Sequence, residues 1–330
     1  MTISTVAFGL GPIGCRICSR LLERPNDVEV VAAVERDPAK VGRTLAEIVA
    51  SARGDQVVIG TDAPHAPAGG GVAIQATSSS LEVAVPQAMH LARLGWNVLS
   101  TTEELAFPES LDHELTVELD RVARHEGVTV LAAGVNPGYI MDVLPLALTA
   151  LCTRVDEISV RRVVDTNQRR EQLQRKAGVG MRREEFERLA AAGQIGHVGL
   201  RQSVTLIAGR LGWALTGVEV SLEPVIAESD VTTPLGPVAS GSVLGQHQLA
   251  VGRTADREAI RLELTMAAGY PPIDEVFIAG EPPVHQRIEG GLNGDIGTEA
   301  VIANLVRPVF EARPGLLTMA DLVAVACDTR

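Results

Sequence analysis

Apolar positions in the first half of the chain switch repeatedly between two spacings. Residues 5–8 (Thr-Val-Ala-Phe) form a short apolar run; behind them Ile13, Ile17 and Leu21 recur every fourth residue with Cys18 and Leu22 alongside. The run predicts a buried strand and the spacing an amphipathic helix. The same alternation continues, with strands predicted at 27–34, 57–59, 72–77, 96–100 and 128–133 and helices near 41–52, 81–94 and 115–125. Strands that alternate with helices build a parallel sheet covered on both faces. From residue 157 the pattern changes. One strand at 157–164 is followed by helices at 182–192 and 201–211, and then by four strands at 218–226, 241–252, 259–267 and 274–279, which suit a mostly antiparallel sheet. A last helix is expected at 299–310 with Thr298 as its N-cap.

The loop between the first strand and helix is Gly9-Leu10-Gly11-Pro12-Ile13-Gly14. A G-x-G-x-x-G that follows a strand and opens a helix is the dinucleotide-binding fingerprint. Its first glycine permits a tight turn, its second lets backbone amides approach a pyrophosphate, and its third lets helix and strand pack closely. The helix N-terminus adds positive partial charge. Glu35 lies 21 residues after Gly14, at the end of the second strand, where an acid accepts from the adenosine ribose 2′-OH. Arg36 beside it offers a partner for adenine or for a 2′-phosphate, so the pair suggests NAD with tolerance of NADP. Other strand ends converge on the same side of the sheet: Thr77, Ser78 and Ser79; Thr101, Glu103 and Glu104; and Asn136 in Gly-Val-Asn-Pro-Gly. The hydroxyls and the amide suit a cofactor, with Asn136 able to orient a carboxamide. Ser79 or Ser80 also suits a helix cap. Ser100/Glu103 and Thr101/Glu104 both fit a capping box, which leaves one glutamate free for acid–base work.

Composition narrows the alternatives. A chain of 330 residues suits two domains, and 46% hydrophobic with 21% charged residues is a globular balance. A net charge of −12 argues against nucleic acid or an anionic membrane as partner, and no apolar run reaches a membrane span. No signal peptide is read at the N-terminus, and the four cysteines do not form a metal-ligand cluster, so a reduced, cytoplasmic protein without a metal is expected. Cys15 and Cys18 read as helix packing. Cys152, in an apolar helical stretch, is badly placed for a nucleophile of the aldehyde-dehydrogenase type.

Several segments together resemble one family: Gly9 to Gly14, Asp37-Pro38-Ala39-Lys40-Val41-Gly42, Gln75-Ala76-Thr77-Ser78-Ser79, Asn97-Val98-Leu99-Ser100-Thr101-Thr102-Glu103-Glu104-Leu105 and Gly134-Val135-Asn136-Pro137-Gly138. Further on come Arg162-Val163-Val164-Asp165, Gly196-His197-Val198-Gly199-Leu200, Gly294-Asp295-Ile296 and Pro314-Gly315-Leu316. The set is similar to the dihydrodipicolinate-reductase-like group that contains the 2,4-diaminopentanoate dehydrogenases and native amine dehydrogenases. No His-His pair followed by Lys and Pro-Ser-Gly-Thr is present, which sets the chain apart from true dihydrodipicolinate reductases. The resemblance implies an α/β protein. A Rossmann domain would span 1–143, an α/β substrate and dimerisation domain with an open, mostly antiparallel sheet 144–297, and a helix and tail over 298–330 would return to the first domain. It implies a homodimer that uses NAD or NADP for oxidative deamination of an amine, or reductive amination of a ketone or aldehyde with ammonia. It assigns catalysis to Glu103, with Glu104 in reserve, and raises His197 to a pocket residue. Tyr139, Ile140 and Met141 offer an apolar pocket for a simple amine; Arg162, Arg169 or Arg170 offers a partner for the carboxylate of a diamino acid. A protein that senses NAD(P) without catalysis would keep the glycines and Glu35 but need no acid at Glu103.

Overall fold

The structure, a computed structural model, describes residues 2–24, 26–107, 114–322 and 325–327. It divides into two compact units, 1–139 with 294–330 and 140–293.

The first unit is built on a seven-stranded sheet. Its strands are β1 (Ile3–Phe8), β2 (Val28–Val34), β3 (Ile59–Gly60), β4 (Val72–Gln75), β5 (Asn97–Ser100), β6 (Thr129–Ala132) and β15 (Gly315–Leu317). They lie in the order β15-β6-β5-β4-β1-β2-β3, every pair parallel. From β3 to β6 this is the doubly wound Rossmann order, whose direction reverses between β1 and β4 and so opens a crevice at the strand C-termini there. Helices α1 (Pro12–Leu22), α2 (Leu45–Val49), α3 (Leu81–Arg93) and α4 (Glu114–Glu126) connect the strands. The expected apolar face of α1 is present: Ile17, Cys18 and Leu21 are buried. Complete burial pushes the Cys18 thiol up to about 12, with the neighbouring Cys15 adding to the effect, so Cys18 serves as a packing residue. Under α3 and α4 the core joins Leu81, Val85, Leu91, Trp96, Leu119 and Val130.

Two expectations change in this unit. The sheet does not end at β6, because Gly315–Leu317 adds a further parallel strand beside it. The last helix, α9 (Gly294–Glu311), begins four residues before Thr298. Thr298 therefore lies inside the first turns instead of capping them, and its Oγ1 accepts from the Val135 amide at 3.3 Å. Polar contacts fix α9 to this unit: Arg16 pairs with Glu299 at 2.9 Å, Arg24 donates to the Ala303 carbonyl at 2.9 Å, and Arg307 pairs with Asp27.

The second unit holds α5 (Val143–Thr149), β7 (Arg154–Asp165), α6 (Glu171–Lys176), α7 (Arg183–Ala191), α8 (Leu200–Leu211), β8 (Gly217–Ile226), β9 (Val231–Thr233), β10 (Gly236–Val238), β11 (Val243–Arg253), β12 (Glu258–Ala267), β13 (Ile273–Glu281) and β14 (Val284–Glu289). Its main sheet runs β14-β13-β7-β12-β11-β8. Its pairs are mostly antiparallel, as expected, but the sheet is mixed, because β7 and β12 run parallel while the other four pairs are antiparallel. The chain leaves β7 through α6, α7 and α8 and passes along β8 to β11 before it enters β12 in the direction of β7, the long crossover that a parallel pair requires. On β7 the even positions Ile158, Val160, Arg162 and Val164 are buried, and Ile260, Leu262, Leu264 and Met266 stand opposite them on β12.

Candidate active site

The glycine loop has the geometry its three positions require. Gly9 has a φ of 100°, and a side chain there would meet the Ala76 carbonyl oxygen at 2.6 Å. At Gly14 a Cβ would stand 2.1 Å from the Gly9 carbonyl oxygen, so the first turn of α1 sits directly on the loop. A Cβ at Gly11 would meet nothing within 4 Å. Gly11 is also the N-cap of α1, with no side-chain cap and with Pro12 at the first helical position. The helix N-terminus thus faces open space through its one glycine without steric need of its own, and Ile13 stands in the same turn. Those features fit a pyrophosphate.

The Leu10 peptide between these glycines is held from both sides. Its N–H donates to Glu35 Oε2 at 2.8 Å, and its carbonyl accepts from Lys40 Nζ at 2.9 Å and from the Cys15 thiol at 3.1 Å. Glu35 Oε1 takes the Arg36 and Asp37 amides at 2.7 and 3.3 Å. Partial burial alone would raise the Glu35 carboxyl, but the amides of Arg36, Leu10 and Asp37 and the Lys40 charge outweigh it and hold the group below its ordinary value. Arg36 is exposed next to it. Lys40 carries no signal of its own in the sequence. It is one of two lysines in the chain, and its bond to the loop required the fold to bring it there.

The ends of β4 and β5 are knit together. Ser100 Oγ donates to Thr102 Oγ1 at 2.9 Å, and Thr102 Oγ1 to the Ser78 carbonyl at 2.8 Å. The Thr101 amide donates to the Gln75 carbonyl at 2.9 Å, and the Glu104 amide to the Ser79 carbonyl at 3.3 Å. Ser78 Oγ accepts from the Ser80 amide at 3.1 Å. Neither expected capping box forms. Glu103–Ala106 is a single 3-10 turn, and Ser80, at the N-cap of α3, makes no side-chain cap. Glu104 takes that role across the chain, its Oε2 accepting from the Leu81 amide at 2.8 Å. Glu103 is half-buried, and its carboxylate has no hydrogen-bond or ion-pair partner among the described residues. The two glutamates are thereby told apart: one is tied to a helix, the other is available. At the end of β6, Asn136 Oδ1 is buried and unpartnered among the described residues, the condition of a group that awaits a donor such as a carboxamide. Tyr139 is half-buried at the end of this unit.

The remaining candidates lie in the second unit. Met141 is fully buried. Arg162 is buried as well: its guanidinium donates to Asp274 at 2.7 Å and to the Leu292 carbonyl at 2.8 Å. Burial pushes the Asp274 carboxyl up, against the pull of that guanidinium and the Leu292 amide. The Arg162 charge is thus already balanced inside the unit. His197 is half-buried, with its N–H donating to Gln248 Oε1 at 3.0 Å and its carbonyl accepting from Gln248 Nε2 at 2.9 Å. This reciprocal pair fixes the Gly196-His197 backbone on β11.

Comparison with known proteins gives a consistent result. A family model described as the 2,4-diaminopentanoate dehydrogenase C-terminal domain matches residues 139–329. The chain is 31% identical to a 2,4-diaminopentanoate dehydrogenase of Acetoanaerobium sticklandii, covering 97% of this chain and 93% of that one. It is 25% identical to an amine dehydrogenase of Streptomyces virginiae, covering 97% and 96%. The fold is shared with an amine dehydrogenase from Mycobacterium smegmatis at a TM-score of 0.85 and 24% identity, over 99% of this chain and 97% of the other. The chain belongs to the 2,4-diaminopentanoate dehydrogenase family, whose named relatives include amine dehydrogenases, and it joins a Rossmann domain to a mixed-sheet α/β domain.

Proposed function

We propose that the protein is an NAD(P)-dependent amine dehydrogenase that interconverts an amine with a ketone or aldehyde and ammonia. The observation that carries the reading is the pair Glu103 and Glu104: the same strand end that spends one carboxylate on capping α3 leaves the other without a partner among the described residues. Gly9, Gly11, Pro12, Ile13 and Gly14 would hold the pyrophosphate, Glu35 the adenosine ribose, and Thr77, Ser78, Ser79, Thr101 and Asn136 the nicotinamide half. The bound nicotinamide supplies hydride transfer to or from the carbon that bears nitrogen. In the reductive direction Glu103 takes a proton from the nitrogen that has added to the carbonyl and passes it to the oxygen, which gains its second proton from the ammonium that supplied the ammonia and leaves as water. The carboxylate then faces a cationic iminium, which it stabilises by charge.

The Glu35 carboxylate at the ribose position favours NAD, since a 2′-phosphate there would meet a like charge; the exposed Arg36 supports tolerance of NADP. The balanced charge of Arg162 weighs toward an amine without a carboxylate over a diamino acid. An amine panel with and without α-carboxylates checks this preference. The assignment of Glu103 is tested with Glu103→Gln and Glu104→Gln. Glu103→Gln should lose at least a hundredfold in kcat with NADH affinity unchanged, whereas Glu104→Gln should keep turnover within a few-fold. Full turnover in Glu103→Gln would overturn the assignment.

A further inference from the structure

Behind the end of β4 a chain of hydrogen bonds leads from the core to the crevice, and its direction is fixed at one end. Gln75 is fully buried, and its Nε2 lies 2.8 Å from the Ala84 carbonyl and 3.0 Å from Gln87 Oε1. A carbonyl oxygen only accepts, so this end of Gln75 is its NH2 group, and the Gln87 atom that faces the second hydrogen is its oxygen. Thr77 Oγ1 lies 2.6 Å from the same Gln87 oxygen. An amide oxygen has no hydrogen to give, so the Thr77 hydroxyl donates to it. Thr77 therefore has only lone pairs left to present. Its methyl abuts the first glycine of the nucleotide loop, 2.8 Å from the point where a Gly9 Cβ would stand, and the residue itself is exposed. The chain has a cost: Gln75 Oε1 is buried without a partner among the described residues. A buried amide half-satisfied is less favourable than an apolar side chain of the same shape, so packing alone does not account for Gln75 and Gln87.

We propose that Gln87 is a positioning residue for the dinucleotide. Supported from below by Gln75, it locks Thr77 as an obligate hydrogen-bond acceptor, and Thr77 then receives a donor of the nicotinamide half, a ribose hydroxyl or carboxamide N–H. The same polarity repels phosphate oxygens, which helps keep the pyrophosphate at the amides of α1. The inference rests on the dinucleotide reading of Gly9 to Gly14 but not on the identity of the amine.

NADH fluorescence titration of the full chain, paired with thermal denaturation, tests it. Gln87→Leu removes the acceptor and frees Thr77 to donate, and Thr77→Val removes the hydroxyl. Each should weaken NADH binding about fivefold, the worth of one neutral hydrogen bond. The double variant should bind no worse than either single one, because both break the same chain. Gln87→Glu, which keeps an acceptor for Thr77 and for Gln75, should bind within twofold of the parent and serves as well if Gln87→Leu fails to fold. Parent-like binding by Gln87→Leu or Thr77→Val, additive losses in the double variant, or a fivefold loss in Gln87→Glu would each overturn the inference. A parent protein that binds no NADH would overturn the dinucleotide reading itself, and this inference with it.

Discussion

Alanine at Gly11 and at Gly14 makes opposite predictions from one loop. At Gly14 the new Cβ would stand 2.1 Å from the Gly9 carbonyl oxygen and 3.1 Å from its carbon, both backbone atoms with no side-chain freedom to yield. The loop and α1 must part by roughly 1 Å, an overpacking cost of about 1–3 kcal/mol. At about 2–4 °C per kcal/mol for a unit of this size, the midpoint of thermal denaturation should fall by roughly 2–12 °C. At Gly11 the Cβ would touch nothing within 4 Å and φ is −65°, so Gly11→Ala should cost no more than about 1 kcal/mol, the preference of an N-cap for Gly over Ala. Its methyl group, however, fills the space through which a pyrophosphate approaches the helix amides. Loss of one hydrogen bond to a charged group is worth about 1.5–3 kcal/mol, which is roughly a 10- to 150-fold weaker NADH complex. Differential scanning fluorimetry and NADH titration read the two effects separately. Parent-like NADH affinity in Gly11→Ala would refute the reasoning, as would a Gly14→Ala protein with an unchanged midpoint.

Two other perturbations follow from the geometry. Arg162→Met should cost about 3–5 kcal/mol, since it leaves Asp274 charged and buried; chemical denaturation measures this, and Arg162→Met with Asp274→Leu should recover much of the loss. Glu35 has its carboxyl lowered in the folded state, so it contributes stability that is complete above its unfolded value near 4.3 and is lost as pH falls through the folded one. Glu35→Gln should therefore flatten the acid limb of the stability–pH curve below about pH 4 and loosen the Leu10 peptide, with weaker NADH binding at neutral pH; an unchanged acid limb would contradict the sign.

Local signals were legible where structure is local. The strand, glycine loop and α1 are written in adjacent residues, and their period and turn chemistry need no distant partner. What the sequence hid depends on tertiary pairing. Gly315–Leu317 is three residues long, and its partner β6 lies far back in the chain. The start of α9 contains Gly294 and Gly297, both poor helix formers, yet both are buried there, so packing overrides propensity. Alternation on β7 and β12 revealed strands, but periodicity carries no information on whether two strands run parallel. Glu104 matched a local capping box and instead caps α3 through Leu81. Arg162 read as an open cation for a substrate carboxylate, although its place between Val160 and Val164 on the apolar alternation of β7 was a signal for burial. Gln75 and Gln87 carried no signal, since the hydrogen bond between them joins a strand to the middle of the next helix.

The central claim is that hydride exchange occurs at a carbon bearing nitrogen, with Glu103 as the proton carrier. The direct measurement is NADH oxidation by the purified protein with simple ketones and aldehydes, with and without isotopically labelled ammonium, followed by mass analysis of the product. The account predicts oxidation that requires carbonyl and ammonium together, a primary amine carrying the label, and loss of this turnover in Glu103→Gln. NADH oxidation by carbonyl alone with an alcohol as product would contradict it, as would NADH binding without turnover on any carbonyl–ammonium pair or amine.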